Sequence, residues 1–71
     1  METIKLRETD EFIKLGQALK ASGLAESGVE AKDFIQQGFV SVNGEVETRR
    51  GRKLYDGDIV AFDGEEIKIE K

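Results

Sequence analysis

The sequence predicts a small α+β fold, with two short helices in the first half of the chain and a mostly antiparallel arrangement of strands in the second. Apolar residues recur at helical spacing in the first half of the chain, between residues 12 and 36. The second half alternates polar and apolar residues and contains Asn43-Gly44 and Asp63-Gly64, dipeptides that favour tight hairpin turns. A chain of 71 residues supports one domain and leaves little core for a deep catalytic pocket. We therefore expect a single domain over residues 1–71.

A strand is predicted first, at residues 3–8. Ile4 and Leu6 alternate there with charged neighbours, which is the period of a half-buried strand. The free edge of such a strand could also pair with a second copy of the chain.

The first helix is predicted between residues 12 and 24, with Thr9 or Asp10 as its N-terminal cap. Its apolar positions are Phe12, Leu15, Ala18 and Leu19. Gly16 leaves a second possibility open, because glycine costs a helix interior about 1 kcal/mol relative to alanine. In that case the helix begins near Gly16 and residues 12–14 are extended.

The second helix has clear signals at both ends. Ser27 and Glu30 match the capping box S-x-x-E, and Gly38 suits the left-handed position that ends a helix. The apolar stripe comprises Ala31, Phe34 and Ile35, and the polar face comprises Gly28, Lys32 and Gln36. Lys32 can therefore project a cation from the polar face.

The first hairpin allows two registers. A two-residue loop at Asn43-Gly44 would leave Val40 facing Glu47, whereas a three-residue loop beginning at Val42 sets Val40 opposite Val46. We predict the three-residue loop, since it pairs two apolar residues.

The second hairpin is predicted to turn at Asp63-Gly64, which pairs Val60 with Ile67. Between the hairpins lies a loop with Gly51 at its middle. It carries the basic cluster of Arg49, Arg50, Arg52 and Lys53. We expect this loop to be exposed and mobile unless something binds it.

The basic cluster contrasts with the acidity of the chain. The net charge is -4 and the cluster carries +4, so the other residues together carry -8. One interpretation is a solvated loop without a role, and the other is a local site for an anionic partner.

Composition narrows the function classes. The sequence has no cysteine and no histidine, which removes thiol and imidazole chemistry and the usual zinc ligands. We expect neither catalysis nor a cofactor. The start METIKLRETDEF lacks the features of a signal peptide, and no stretch approaches the roughly 20 apolar residues of a membrane span. We expect a soluble, cytoplasmic protein with no membrane partner.

The residues from Leu15 to Gly44 carry a family resemblance. They read L-x-x-x-L-K-x-S-G-L-A-E-S-G-x-E-A-K-x-x-I-x-x-G-x-V-x-V-N-G and are followed by Leu54 and Gly57-Asp58. This pattern resembles the S4 domain, or alpha-L RNA-binding motif, and covers residues 15–62. The piece I-x-x-G-x-V-x-V-N-G is its most specific part. The short chain and the R-R-G-R-K-L segment look like the stand-alone bacterial members.

The resemblance implies two short helices that pack on a small, strongly bent sheet. RNA is then expected to lie against the helices and the neighbouring loops. The resemblance also implies a monomer whose first strand joins its own sheet. Ribosomal RNA is the first expected partner and transfer RNA the next, with a role in ribosome assembly or translation. The family often has arginines at the positions of Gly28 and Lys32, so only the second position keeps its charge here. The candidate RNA-binding residues are Arg49, Arg50, Arg52, Lys53, Lys32, Lys20, Gln36 and Asn43.

The expected recognition is electrostatic and depends on RNA shape, with little base reading. Most phenylalanines are predicted in the core, which leaves no evident stacking platform. Tyr55 is either a half-buried sheet residue or a base-stacking one. Asn43 either supports its turn or touches RNA, and Lys20 either compensates the helix dipole or joins the RNA face. A protein adaptor that uses the acidic surface and the basic loop remains the alternative function.

Overall fold

The structure is a computed structural model that describes residues 2–71. In chain order its elements are β1 (Glu2–Lys5), β2 (Ile13–Lys14), α1 (Leu15–Ala21), α2 (Gly28–Gln36), β3 (Val40–Val42), β4 (Glu45–Val46), β5 (Lys53–Leu54), β6 (Ile59–Phe62) and β7 (Glu65–Glu70). Neither helix is long and apolar enough to cross a membrane.

Five strands form one sheet in the order β1-β7-β6-β3-β4, and β2 pairs with β5 in a separate two-stranded ribbon. All pairings are antiparallel except that of β1 with β7. The predicted combination of two helices with a mostly antiparallel sheet is confirmed. The first strand does join the chain's own sheet, with Ile4 aligned to Ile69.

Helix α1 begins at Leu15, and the two residues before it are extended in β2. The later of the two possible helix starts is therefore confirmed. The predicted cap at Thr9 or Asp10 is wrong, because Lys14 occupies the N-cap position.

Helix α2 begins and ends as predicted. The Ser27 side chain accepts a hydrogen bond from the backbone N–H of Glu30 at 3.1 Å, which satisfies one of the unpaired donors of the first turn. Gly38 follows the helix with a φ of 83°. The Glu30 carboxylate accepts a hydrogen bond from the backbone N–H of Glu26 at 3.3 Å. In a regular capping box it would accept from Ser27, so this second hydrogen bond is displaced by one residue.

The core is aliphatic. Its buried residues come from both helices and from the sheet: Leu6, Leu15, Ala18, Leu19, Ala25, Ala31, Ile35, Val40, Val42, Leu54, Val60, Ile67 and Ile69. The prediction that most phenylalanines lie in the core is wrong. Phe39 is 58% exposed, and Phe12, Phe34 and Phe62 are only half-buried. Branched aliphatic side chains fill the narrow interior, and the larger rings remain at its rim.

The two hairpins differ in how well they were predicted. In the second, Val60 pairs with Ile67 as expected. In the first, the predicted three-residue loop is wrong, because Ser41 pairs with Val46 around a two-residue turn. Asn43 and Gly44 have φ values of 52° and 87°, the two positive values that a type I′ turn requires.

Candidate nucleic-acid interface

Glu47 accounts for the register of the first hairpin. The two-residue turn sets Glu47 beside Val40, and the backbone N–H of Glu47 donates to the Val40 carbonyl at 3.0 Å. Glu47 is only 7% exposed. Burial of a carboxylate is costly unless the charge is paired and hydrogen-bonded. The register therefore depends on partners for this side chain.

Two arginines of the basic cluster are those partners. Arg49 donates Nε to Oε2 and Nη2 to Oε1 of Glu47, both at 3.0 Å. Arg52 donates Nη1 to Oε1, also at 3.0 Å. The backbone N–H groups of Thr48 and Arg49 complete the set at 3.0 and 3.1 Å. Five donated hydrogen bonds thus hold one buried carboxylate.

The same contacts lower the pKa of Glu47 from 4.5 to about 2. The hydrogen bonds from Arg49 contribute most and those from Arg52 come next, and together they outweigh the opposing effect of burial. Glu47 is therefore ionised at neutral pH, and its charge is shared by two of the four cations of the cluster.

The loop that carries the cluster is anchored to α1. The backbone N–H of Leu15 donates to the carbonyl of Arg52 at 2.9 Å, and that of Gly16 donates to the carbonyl of Arg50 at 3.0 Å. These N–H groups belong to the first turn of α1, where a helix has no internal acceptors. The loop carbonyls take the place of the expected side-chain cap. The loop is exposed, as predicted, and two of its carbonyls anchor it to α1; its mobility stays a prediction.

A shallow open groove of about 340 Å³ lies where this loop meets the helices. It is lined by Lys14, Gly16, Gln17, Lys20, Gly28, Arg50 and Gly51. Of the predicted residues, the groove brings together Lys20 and Arg50. Sequence reasoning missed Lys14, although Lys14, Gln17 and Lys20 are spaced by three and so share one side of the helix and its cap.

A second depression meets the groove at Gly51 and holds the rest of the basic cluster. It is lined by Arg49, Gly51, Arg52 and Lys53. The Arg49 side chain is 74% exposed and that of Arg52 is 32% exposed. Both arginines can therefore face a ligand while they hold Glu47.

The groove is positive in an acidic chain. No acidic residue is among the described residues that line it. Within residues 2–71, its three cations form no salt bridge, and neither does Lys53 of the adjoining depression. The groove cations are Lys14, Lys20 and Arg50. Their charge is available to an anionic ligand.

Three predicted site residues lie elsewhere. Lys32 and Gln36 are on the second and third turns of α2 and do not line the groove. Asn43 is engaged within the protein: its Nδ2 donates to Oδ1 of Asp58 at 3.0 Å, and its Oδ1 accepts from the N–H of Ile59 at 2.9 Å. The turn-supporting role of Asn43 is confirmed, while RNA contact by these three residues stays a prediction.

Comparison with known proteins identifies the family. A family model described as the S4 domain matches residues 4–70. The chain belongs to the S4 domain family. The suggested resemblance is thus confirmed, and the match extends beyond residues 15–62 to β1 and β7 of this S4 domain.

Two bacterial relatives resemble this S4 domain over most of their length. One is the Bacillus subtilis protein named "Probable ribosome maturation protein RlbA", 50% identical over 54 residues, or 76% of each chain. The other is the Escherichia coli "Putative RNA-binding protein YbcJ", 40% identical over 57 residues, or 80% of this chain and 81% of YbcJ.

The solution structure of YbcJ supports the fold. It superposes with a TM-score of 0.74 at 37% sequence identity and covers 100% of this S4 domain and 89% of the YbcJ chain. That structure is described as revealing an "ALFAL motif involved in RNA-binding". The alpha-L fold expected for this chain is confirmed.

Proposed function

We propose that this S4 domain is a non-catalytic RNA-binding protein that grips the phosphate backbone of structured RNA. The contact surface is the groove at α1 and α2 together with the adjoining basic depression. One observation carries the proposal: in a chain of net charge -4, the groove has three unpaired cations and no carboxylate among its described lining residues.

The chemistry of these cations suits phosphate. The arginine guanidinium offers forked hydrogen bonds that match phosphate oxygens, and the lysine ammonium acts as a point charge. Gly28 is the first residue of α2, so the partial positive charge of that helix end adds to the groove. Backbone recognition of this kind selects RNA by shape and charge.

The proposed RNA is ribosomal RNA, with transfer RNA as the next candidate. Support comes from the name of the Bacillus subtilis relative, which refers to ribosome maturation. In that role the protein acts in the cytoplasm, as a monomer, during ribosome assembly or translation. The lack of histidine and cysteine favours binding without catalysis.

The surface is tested with two double variants of equal charge change. Lys20→Ala with Arg50→Ala removes two groove cations. Lys5→Ala with Lys68→Ala is the matched control, since those lysines lie on β1 and β7. Each protein is titrated with purified ribosomal RNA at low salt. We expect the groove variant to bind at least about tenfold more weakly, at roughly 1 kcal/mol per lost phosphate contact.

The control variant should bind nearly as tightly as the wild type. Equal losses in both variants would mean that net charge alone drives binding and would refute the groove as the site. Absence of RNA binding by the wild-type protein would refute the proposed function itself.

A further inference from the structure

The β2–β5 ribbon has an inner and an outer face. Ile13 pairs with Leu54, and Lys14 pairs with Lys53. Leu54 is fully buried and Ile13 packs against the core, so this pair forms the inner face. Side chains alternate along a strand, and the two lysines therefore point outward.

Two aromatic rings continue the outer face. One residue beyond the ladder, Phe12 and Tyr55 lie opposite each other, with ring centroids 6.0 Å apart and planes tilted by 51°. The Nζ atom of Lys53 lies 4.9 Å from the centroid of the Phe12 ring. Tyr55 is 48% exposed and Phe12 is half-buried. The outer face thus combines an open aromatic pair with two cations.

Beside the stabilising contacts of Phe12 with Tyr55 and Lys53, two features of this face are left unsatisfied in the protein alone. Like charges directly opposite each other on two strands repel, so the pairing of Lys14 with Lys53 is unfavourable without an anion. The exposed part of the Tyr55 ring gains nothing from the core. A ligand that has both a flat ring and a negative charge would satisfy both features, and a nucleotide is such a ligand.

We propose that Phe12 and Tyr55 form a stacking platform for an unpaired RNA base, whose flanking phosphates are held by Lys14 and Lys53. This inference rests on the proposed function and adds to it a preference for RNA with unpaired nucleotides. Base stacking on aromatic rings tolerates every base, because each base has a π-face.

The platform is continuous with the phosphate-binding groove. Lys14 belongs to both surfaces, since it lines the groove and lies on the outer face of the ribbon. An RNA strand that leaves the groove over Lys14 therefore reaches the two rings. The sugar-phosphate backbone and one extruded base would be bound by neighbouring surfaces.

The Tyr55 ring is presented from a rigid turn. The backbone N–H of Tyr55 donates to Oδ2 of Asp58 at 2.8 Å, and the N–H of Asp58 donates to the Tyr55 carbonyl at 3.0 Å. The backbone that carries the ring is thus held before binding, and the contact with Phe12 further restricts the ring, which lowers the entropy lost when a base stacks on it.

The test compares two RNA probes on one protein. The first is a two-stranded RNA duplex with a single-stranded adenosine overhang, and the second is the same duplex with blunt ends, so only the first probe has unpaired nucleotides. The proteins are the wild type, Tyr55→Leu, which removes the ring but keeps apolar volume, and Tyr55→Phe, which keeps the ring. Thermal unfolding of each variant establishes that it is folded at the assay temperature.

We expect Tyr55→Leu to bind the overhang probe about five- to hundredfold more weakly than the wild type, the range for loss of one stacked base. Tyr55→Phe should match the wild type on both probes, and all three proteins should bind the blunt duplex alike. Equal binding of the overhang probe by Tyr55→Leu and the wild type would overturn the platform and leave the groove proposal standing. An equal loss on both probes would also overturn the platform. A wild type that binds neither probe would overturn the platform together with the proposed function.

A spectroscopic variant reads the stack directly. The chain has no tryptophan, so Tyr55→Trp introduces a single indole at the platform. Its fluorescence should be quenched by the overhang probe and unchanged by the blunt duplex at equal saturation. Equal emission with both probes would overturn the inference.

Discussion

Glu47 divides the basic cluster into two functions. Arg49 and Arg52 pair with its buried carboxylate and hold the end of the first hairpin. Arg50 forms no salt bridge within residues 2–71 and lines the groove instead. Residues with the same charge, neighbours in sequence, therefore differ in their contacts: two of them hold a buried carboxylate, and Arg50 is left to the proposed ligand.

Arg52→Ala and Arg50→Ala should separate stability from RNA binding. Loss of Arg52 leaves a buried carboxylate with fewer donors, so we expect the free energy of unfolding to fall by about 1–3 kcal/mol. Loss of Arg50 should leave stability within about 0.5 kcal/mol of the wild type and weaken RNA binding. Urea unfolding and RNA titration of both variants provide the comparison. Equal stabilities would contradict the structural role of Arg52.

Glu47 should also make stability depend on acid pH. Its pKa is about 2 in the folded chain and 4.5 as the ordinary value. A lowered pKa means that the ionised form favours the folded state. This contribution is fully present above about pH 4.5 and is lost as the pH falls toward 2. Urea unfolding across this range should therefore show a smaller pH dependence in Glu47→Gln than in the wild type, and identical pH profiles would exclude the effect.

Gly28 offers a gain of function. A Cβ atom at this position would meet nothing within 4 Å, so a larger side chain fits at the edge of the groove. Gly28→Arg should tighten RNA binding by adding one phosphate contact, which steepens the salt slope by about 0.9. Gly28→Gln is the neutral control for changed helix propensity. If both variants bind RNA equally, the added charge does not reach the ligand.

The β3–β4 hairpin is joined to the rest of the fold at both of its ends. Its turn is joined to the start of β6 by the Asn43 side chain and by the backbone N–H of Asn43, which donates to the Ile59 carbonyl at 2.7 Å. Its far end is held by the contacts of Glu47 with the basic loop. Carbonyl groups of that loop in turn accept hydrogen bonds from the first N–H groups of α1. The hairpin therefore links the sheet to the helix that carries Lys20.

Asn43→Ala tests this connection. The substitution removes two hydrogen bonds and places alanine at a positive φ, so stability should fall by about 1–3 kcal/mol. Asn43→Gly keeps the backbone freedom and isolates the loss of the hydrogen bonds. RNA affinity of the folded variants should be unchanged. Weaker RNA binding with unchanged stability would instead assign Asn43 to the interface.

For the chain taken together, we expect the separation of the positive groove from the acidic remainder to govern association with RNA. The residues outside the groove and the basic depression are net negative and should repel phosphate. The molecule should therefore meet RNA in one orientation, and indiscriminate contacts by other surfaces should be weak.

Salt titration measures this behaviour. If four to six phosphates are neutralised, the logarithm of affinity should fall against the logarithm of salt with a slope of about -3.5 to -5.5. The double variant with Lys20→Ala and Arg50→Ala should have a slope shallower by about 1.8, at roughly 0.9 per contact. A slope near zero for the wild type would exclude phosphate recognition as the main source of affinity.

Local patterns in the sequence were sufficient for much of the fold. The apolar period and the capping residues of α2, together with the Asp63-Gly64 turn, act between near neighbours, and each was predicted correctly. The family pattern between Leu15 and Gly44 likewise identified the alpha-L motif. The density of charge at residues 49–53 indicated a basic surface.

The interface itself depends on contacts between residues distant in sequence. From the sequence, a glutamate at position 47 is not expected beside a buried valine, and for that reason the wrong hairpin register was predicted. In the folded chain Arg49 and Arg52 pair with the Glu47 carboxylate and allow its burial. The basic loop is anchored by N–H groups of α1, whose need for acceptors appears only where the helix begins. Burial and hydrogen-bond satisfaction belong to the folded chain as a whole. Residue order alone therefore located the charges, and the packing of α1 against the loop determined which of them remain free to bind.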